Sequence, residues 1–253
     1  MRDVRRSNAT LQKMAFYASP EHACSYLPGR RARTLFGDPS VRLDRHAYSY
    51  LADYGFRRSG DYVYQPCCRE CTACVSVRIP VNEFEPRRMD KRTWQSNQDL
   101  TVTPAATRYD DAHFTLYRKY LQHRHPGGGM DDTNPEQYLA FMTCAWMDTL
   151  LYEFHLQDQL VAVAVVDPLE HGLSAVYTFY DPELPKRSLG TYAILWEIQE
   201  ARRLGLDWLY LGYWIRDCDK MRYKERFRPL EAFWRGQWVR FGADEALDLA
   251  GRG

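Results

Sequence analysis

Apolar and polar positions divide the chain into two parts of different regularity. Residues 1–98 are irregular and rich in Cys, Arg and Tyr. Within them, helical spacing predicts a helix over 42–54, and alternation predicts strands at 62–64 and 75–81. From residue 99 onward the spacing becomes regular. We therefore predict a Cys-containing N-terminal α+β region over 1–98 and a second domain over 99–253.

The second part begins with a strand, two helices and three closely spaced strands. The strand is predicted at 100–103 and the helices at 111–123 and 134–146, the latter opened by an Asn-Pro pair that suits a helix N-terminus. Three apolar segments follow at 150–156, 160–166 and 173–180. Their connections are too short for parallel crossovers, so they predict an antiparallel meander.

A helix and another strand come after the meander. The predicted helix over 191–204 buries its Ile and Leu residues and shows Glu197, Glu200 and Arg203 to solvent. The strand at 208–215 is reached through this helix, so it should lie parallel to 173–180. A short helix at 220–227 and a strand or hairpin at 231–241 complete the predicted pattern.

This order of elements predicts an α+β fold similar to the N-acetyltransferase-like (GNAT) domain, with a mixed sheet and flanking helices. In that arrangement the strand at 173–180 diverges from the strand at 208–215 and leaves a V-shaped opening. A strand that leads into a Gly-containing turn and a helix start also makes an anion-binding helix N-terminus. The opening therefore suits acyl transfer.

Composition narrows the class of protein. The 253 residues are 45% apolar, enough for a core, and 34 Lys and Arg against 33 Asp and Glu give a net charge of +1. This balance argues against a general nucleic-acid coat and leaves only local basic patches, so we expect no DNA partner. Neither a run of 18 apolar residues nor a signal-peptide pattern occurs, so we expect no membrane partner and a cytoplasmic location.

The cysteines form a candidate metal site. The sequence has seven Cys, and an odd number in a cytosolic chain argues against a disulfide framework. Cys68, Cys71 and Cys74 make two overlapping Cys-x-x-Cys steps that let thiolates converge on zinc or an iron–sulfur cluster, and Cys24 or Cys67 is the fourth candidate ligand. The alternative is reduced thiols packed as small apolar side chains.

Candidate substrate-binding residues flank the predicted opening. The segment Lys186, Arg187, Ser188, Leu189 and Gly190 presents amides and two cations to phosphate, although an ordinary helix start has the same pattern. Tyr177 and Tyr180 are expected to reach the opening from one strand, and Tyr213 and Trp214 from the other. A peptide α-amino group titrates near pH 8, so positioning has to contribute more than a strong base.

Two further sets of candidate residues are cationic. Lys220, Tyr223 and Lys224 fall on one face of the predicted helix at spacings of three and four, which suits a phosphate or carboxylate, and the alternative is a solvated face. We take Tyr180, Tyr223 and Lys224 as the candidate catalytic residues. Arg78 alternates with apolar residues, and a buried Arg requires an anion, either Glu83 or a substrate carboxylate.

Several motifs resemble a known family. They are Cys24-Ser-Tyr-Leu-Pro28, Phe56-Arg-Arg-Ser-Gly60, the segment from Tyr64 to Cys74, Arg124-His-x-x-Gly-Gly-x-Met130, Tyr177-x-Phe-Tyr-Asp-Pro182, Ser188-Leu-Gly190 and the segment from Lys220 to Glu231. This set resembles the arginyl-tRNA–protein transferase family, and within it the bacterial aspartate/glutamate leucyltransferases. In the eukaryotic relatives a Cys-x-x-Cys lies near the N-terminus, whereas here Leu27 occupies the second position after Cys24.

The resemblance implies transfer of leucine from leucyl-tRNA to the N-terminal Asp or Glu of proteins, which marks them for N-end-rule degradation. It also implies two transferase domains, a GNAT-like C-terminal domain that binds the 3′ end of the aminoacyl-tRNA, and no cofactor for the transfer itself. Three alternatives remain open at this point. They are arginyl transfer to the same acceptors, CoA-dependent N-acylation, for which Tyr192 fills an expected Gly position, and an RNA-binding metal sensor.

Overall fold

An eight-stranded mixed sheet forms the centre of the protein. The computed structural model describes residues 14–124 and 134–249. Within them the strands of this sheet lie in the order β14 (Gln237–Phe241), β13 (Leu230–Trp234), β7 (Val75–Pro80), β12 (Trp208–Trp214), β11 (Gly172–Tyr180), β10 (Gln159–Pro168), β9 (Leu150–Leu156) and β8 (Leu100–Ala105). All neighbouring pairs are antiparallel except β11 and β12, which are parallel.

Two small antiparallel sheets come from the first part of the chain. One contains β1 (Phe16–Ala18), β4 (Thr34–Gly37), β6 (Tyr62–Pro66) and β5 (Arg57–Ser59), and the other pairs β2 (His22–Ala23) with β3 (Arg31–Ala32). Helix α1 (Arg45–Asp53) begins at Asp44, whose carboxylate accepts a hydrogen bond from the Ala47 amide at 2.8 Å. Tyr48 of α1 packs in one apolar cluster with Tyr210 of β12, so this part of the chain covers the large sheet.

Helices cover both faces of the large sheet. They are α2 (Arg88–Gln95), α3 (Asp111–Arg124), α4 (Pro135–Met142), α5 (Leu189–Arg203) and α6 (Asp219–Arg222). The main core cluster lies between α5 and one face and includes Ile198, Leu209 and Phe227. A second cluster joins α3 and α4 to the other face through Tyr117, Tyr138 and Phe179.

The predicted fold class is confirmed, with local corrections. The meander β9–β10–β11 and the final hairpin are present as expected. The helix predicted to reach residue 146 ends at Met142, because Thr143 already has an extended backbone. The helix predicted over 220–227 is shorter, because α6 ends at Arg222 and a 3-10 turn over Tyr223–Arg226 follows.

Strand β7 connects the two predicted parts of the chain. It comes from the first 98 residues, yet it lies between β12 and β13 inside the large sheet, and every residue in it is buried. The boundary after residue 98 stays a prediction, and the strand arrangement places part of the first segment within the sheet of the second.

Within residues 14–124 and 134–249 no helix has both the length and the apolar content that crossing a membrane requires.

Candidate active site

Strands β11 and β12 separate shortly after they pair. Their parallel ladder consists of three residue pairs, from Gly172 with Trp208 to Ser174 with Tyr210. Beyond this point residues 175–180 and 211–214 diverge, and we call the space between them the strand gap. The predicted parting of these two strands is therefore present, while the V shape of the opening stays a prediction. Ser188 is exposed and Gly190 is half-buried, so the loop and helix start beside the opening reach solvent.

Arg57 occupies the closed end of the strand gap. Its guanidinium donates hydrogen bonds to the carbonyl of Ala175 at 2.5 Å and to the carbonyl of Tyr210 at 3.4 Å. These two carbonyls belong to the residues at which the strands part, so Arg57 replaces ladder hydrogen bonds that the divergence removes. Gly212 makes room for it, because a Cβ there would lie 3.2 Å from Arg57 Nε and the backbone has φ +78°.

Lys224 lies along the β12 edge of the strand gap. Its buried amine donates to the Tyr213 carbonyl at 2.5 Å. Burial, and then the nearby Arg57, lowers the pKa of Lys224 to about 7. The expected shared face with Lys220 and Tyr223 is corrected, because Lys224 is buried whereas the other two are exposed and a 3-10 turn begins at Tyr223.

Glu197 of α5 is a fully buried carboxyl. It has 0% exposure, and neither carboxylate oxygen has a hydrogen-bond partner in the described parts of the chain. Burial raises the pKa of Glu197 to about 8, and Arg57 opposes the shift. The prediction that Glu197 and Glu200 face solvent was wrong. The reason is that α5 is covered by α2 as well as by the sheet. Glu200 is 8% exposed, and its carboxylate accepts hydrogen bonds from Arg203 and Tyr152.

Tyrosines form the β11 side of the strand gap. The ring of Tyr180 lies against the start of α5, where a Cβ on Gly190 would approach its Cε1 atom to 2.9 Å. Tyr120 of α3 packs on Tyr180 and Tyr177, with ring centroids 5.0 and 6.2 Å apart. Burial raises the pKa of Tyr177, whose hydroxyl has no hydrogen-bond partner among residues 14–124 and 134–249.

The start of α5 has donors available to an anion. In the part of the chain that the structure describes, the amides of Leu189 and Gly190 have no acceptor, but Leu189 as a whole is buried, so the half-buried Gly190 is the one whose amide lies near solvent. Lys186 and Ser188 are exposed. Arg187 differs, because it forms a two-pronged pair with Asp99 at 2.8 Å, which partly neutralises its charge.

The side chains of two predicted substrate-binding residues are held by other parts of the protein rather than by the strand gap. Arg78 pairs with Asp53 and Glu231, each at 2.9 Å, rather than with Glu83, and stacks between Trp208 and Trp238. It lines a shallow pocket of about 490 Å³ near the first residues of β12. Trp214 is buried in the main core and donates to Glu225 at 3.1 Å.

The candidate metal ligands lie in one region. Cys24 Sγ accepts hydrogen bonds from the amides of Tyr26 and Leu27 at 3.5 and 3.4 Å. Burial raises the pKa of Cys74 to about 12, and Cys68, Cys24 and Cys71 add to the shift, so these thiols are electrostatic neighbours. All are free thiols, which fits the donor chemistry of zinc or an iron–sulfur cluster. Within the described residues no three side chains already surround a common point.

Sequence reasoning overlooked Arg57 and Glu197. Arg57 lies in the motif Phe56-Arg-Arg-Ser-Gly60, which supported the resemblance but suggested no role for either Arg. Its neighbour Arg58 forms a buried ion pair with Asp167 and a hydrogen bond to Thr149, so it fixes the core. Glu197 carried a detectable signal, because it lies seven residues after Gly190 and therefore on the same face of a helix.

Comparison with known proteins identifies the family. The model for the N terminus of arginine-tRNA-protein transferase matches residues 22–92, and the model for its C terminus matches residues 112–234. The chain belongs to the arginine-tRNA-protein transferase family. The motif-based resemblance is thereby confirmed. The matched segments include Arg57, the strand gap and Lys224.

Individual relatives cover almost the whole chain. The aspartate/glutamate leucyltransferase of Pseudomonas fluorescens strain Pf0-1 is 49% identical over 229 residues, which are 90% of this chain and 97% of that protein. The protein of the same name from Alkalilimnicola ehrlichii is 51% identical over 233 residues, or 92% and 98% of the two chains. Among solved structures, FemX aligns at 10% identity with a TM-score of 0.47 over 85% of this chain and 88% of its own.

Proposed function

We propose that this protein is an aminoacyl-tRNA–protein transferase that moves leucine from leucyl-tRNA to the N-terminal Asp or Glu of acceptor proteins. The observation that carries the proposal is identity of about half over nine-tenths of the chain to proteins named aspartate/glutamate leucyltransferase. The strand gap supplies the chemistry that such a transfer requires, a slot lined by cations and tyrosines.

In this proposal the charged 3′ end of leucyl-tRNA binds at the start of α5. The free amides of Leu189 and Gly190, at the positive end of the helix dipole, face the terminal phosphates. Lys186 adds an exposed cation, whereas Arg187 positions the loop through Asp99. The leucyl ester then enters the strand gap beside Tyr180.

The acceptor amine attacks the ester carbonyl inside the strand gap. As the carbonyl oxygen becomes negatively charged, the buried guanidinium of Arg57 stabilises it, because charges interact strongly in a site of low dielectric constant, and the amine of Lys224 lies beside it as a hydrogen-bond donor. Tyr223 and Lys220 are exposed on α6 and the following turn. In the proposal, the acidic side chain of the acceptor binds near the charged amine of Lys220. Tyr177 offers a hydroxyl that lacks a partner in the described chain.

The experiment compares donors and acceptors in one matrix. Purified protein is incubated separately with leucyl-tRNA and arginyl-tRNA, and with peptides that differ only in beginning with Asp, Glu, Lys or Ala. We expect a mass increase of one leucine on the Asp and Glu peptides only. Arginine on the same peptides would support the arginyl alternative, and transfer from an acyl-CoA without tRNA would support CoA-dependent acylation. Modification of the Lys peptide would contradict the acceptor assignment.

A metal at the cysteines remains part of the proposal. Cys68, Cys71 and Cys74, with Cys24 or Cys67, would hold zinc or an iron–sulfur cluster as a structural group, and the transfer itself would need no cofactor. Support comes from the free state of these thiols and from the amides that already donate hydrogen bonds to Cys24 Sγ.

A further inference from the structure

Glu197 is the buried charged group that the proposed transfer has not used. Glu200 lies three residues later on α5, and its carboxylate accepts hydrogen bonds from Arg203 and Tyr152. Both carboxylate oxygens of Glu197, in contrast, lack a hydrogen-bond donor within the described residues. A buried carboxylate without donors is costly, so proteins retain one where a ligand or a reaction supplies the missing partner. Glu197 is therefore the strongest candidate for an unassigned role.

The geometry of α5 directs Glu197 toward the strand gap. The helix starts beside Tyr180 and crosses back over the sheet, so it runs opposite to β11. Glu197 lies on the face of Gly190, seven residues and about 10 Å further along the helix. Strands rise about 3.3 Å per residue, so this distance corresponds to three residues of β11 and places Glu197 level with Tyr177.

The neighbours of Glu197 belong to three other elements. Arg57 of β5, which holds the closed end of the strand gap, influences the pKa of Glu197. Burial raises the pKa of Tyr223 after α6 and of Tyr152 on β9, and the charge of Glu197 adds to both shifts. Among the described residues, Arg57 is the charged group that acts on the pKa of Glu197, and it already donates to the carbonyls of Ala175 and Tyr210.

We propose that Glu197 is the catalytic residue that takes a proton from the attacking α-amino group and passes it to the departing ribose oxygen. This inference rests on the proposed transfer reaction. The neutral amine forms a C–N bond to the ester carbonyl, which gives a tetrahedral species with a protonated nitrogen and an oxyanion. Glu197 removes one N–H proton and gives it to the ribose oxygen as the ester C–O bond breaks, so the carboxylate is regenerated.

The proton affinity of the carboxyl suits this step. A general base is most effective when its pKa is close to the working pH and to that of the group it serves. Burial raises the pKa of Glu197 to about 8, and α-amino groups titrate at about 7.7 to 8.0. The carboxyl of Glu197 and the α-amino group therefore have similar proton affinities, so a proton can move from the amine to the carboxyl or back without a large cost in free energy. Arg57 restrains the rise in the pKa of Glu197 that burial alone would produce.

The test uses Glu197→Gln in the full chain, with single-turnover transfer of leucine to an Asp-initiated peptide measured across pH. We expect the rate at saturating peptide to fall by about 100-fold or more, with little change in KM for the peptide. The carboxyl and the α-amino group of the peptide both titrate near pH 8, so the original protein should show two overlapping inflections there and the variant only that of the amine. Binding of leucyl-tRNA should remain within about threefold of the original, because Glu197 lies away from the phosphate site at the start of α5.

Two companion variants separate catalysis from structure. Glu197→Asp keeps a carboxylate, but the shorter side chain moves it away from the reacting groups. This variant should therefore transfer leucine slowly and retain the pH inflection of the carboxyl. It also provides the test if the Gln variant does not fold. Glu200→Gln changes a buried carboxyl that already has partners. It should lower the thermal midpoint and leave the shape of the pH profile unchanged.

The original protein is assayed first, so failure of the inference is distinct from failure of the proposed function. An original protein that transfers no leucine contradicts the function. An active original protein together with a Glu197→Gln rate within about threefold of it, or with an unchanged pH inflection, overturns the inference alone.

Discussion

Arg57, Lys224 and Glu197 bring three ionisable side chains into the interior around one pair of strands. Each is buried, and Arg57 affects the pKa values of the other two. Isolated charges are expensive in such an environment unless hydrogen bonds or neutralisation compensate. Arg57 and Lys224 are compensated by main-chain carbonyls that the divergence of β11 and β12 leaves without ladder partners. The same divergence that opens the site therefore supplies the acceptors that hold its cations.

We predict that Lys224→Met changes how stability depends on pH. The folded pKa of Lys224 is lowered to about 7, so between this value and about 10 the unfolded chain binds the extra proton. The contribution of Lys224 to stability consequently rises with pH across this window. Urea unfolding should show the stability of the variant relative to the original falling by about 2 to 4 kcal/mol from pH 7 to pH 10. The exposed Lys91→Met is the control, and parallel curves for Lys224→Met and the original would contradict the prediction.

Gly212 gives a second prediction at the residue scale. Gly212→Ala places a Cβ 3.2 Å from Arg57 Nε at a residue with φ +78°, so it should combine backbone strain with displacement of the guanidinium. Gly236→Ala is the matched control, because it has φ +81° but nothing within 4 Å. We expect a loss of about 1 kcal/mol for Gly236→Ala and about 2 to 4 kcal/mol for Gly212→Ala, measured by denaturant unfolding. Equal losses would show that Arg57 is not displaced.

At the scale of elements, α5 combines three tasks. Its first turn presents free amides and touches Tyr180, its middle carries Glu197, and its apolar residues fill the main core. The 3-10 turn after α6 similarly brings Lys224 inward while Tyr223 stays exposed. In each case a short change in backbone geometry, rather than a new element, determines which side chain reaches the strand gap.

The segment of cysteines around β6 and β7 carries a prediction about metal content. Four free thiols in one region should bind zinc or a cluster in nearly stoichiometric amount when the protein is purified without oxygen. Cys68→Ser should lose the metal and unfold at a lower temperature, whereas Cys144→Ser, in a separate part of the fold, should keep it. Elemental analysis provides the measurement. Zinc and iron at background level in the original protein would contradict the prediction.

At the scale of the whole molecule, the large sheet unites distant parts of the sequence. Strand β7 pairs with β12 and β13, which follow it by more than one hundred residues. Arg78 on β7 reinforces this pairing through Glu231 of β13 and Asp53 of α1. The closed end of the site depends on the same long-range contacts, because Arg57 belongs to the small sheet and its acceptors belong to the large one.

We predict that residues 99–253 do not fold alone. Without β7, the fragment exposes the edges of β12 and β13 and the apolar cluster that Tyr48 and Leu51 of α1 complete. Circular dichroism should show no cooperative thermal transition for the fragment. Co-expression with residues 1–98 should restore a soluble complex with the transition of the full chain. A cooperative transition of 99–253 by itself would support a boundary between independent folding units.

Sequence patterns were most informative for regular elements and least informative for burial. The meander, α5 and β12 followed from apolar periodicity, because side chains alternate or repeat in register with the backbone. Apolar periodicity does not reveal β1 to β4 in the first 98 residues, because these strands contain only two to four residues each. So few positions cannot show the alternation of apolar and polar residues that is typical of a strand. Glu197 was assigned to solvent because a charged residue among apolar ones normally faces water.

The amino-acid sequence by itself determined the order of the elements, the parallel approach of β12 to β11 and, through its motifs, the family. These properties depend on local periodicity, on the handedness of crossovers and on linear motifs. Only the tertiary structure decided where the strand pair parts, that Arg57 fills the closed end, that Lys224 turns inward and that Glu197 is buried without a hydrogen-bond donor from the described residues. Burial and electrostatic environment arise from elements that are far apart in the chain, so no window of sequence contains them.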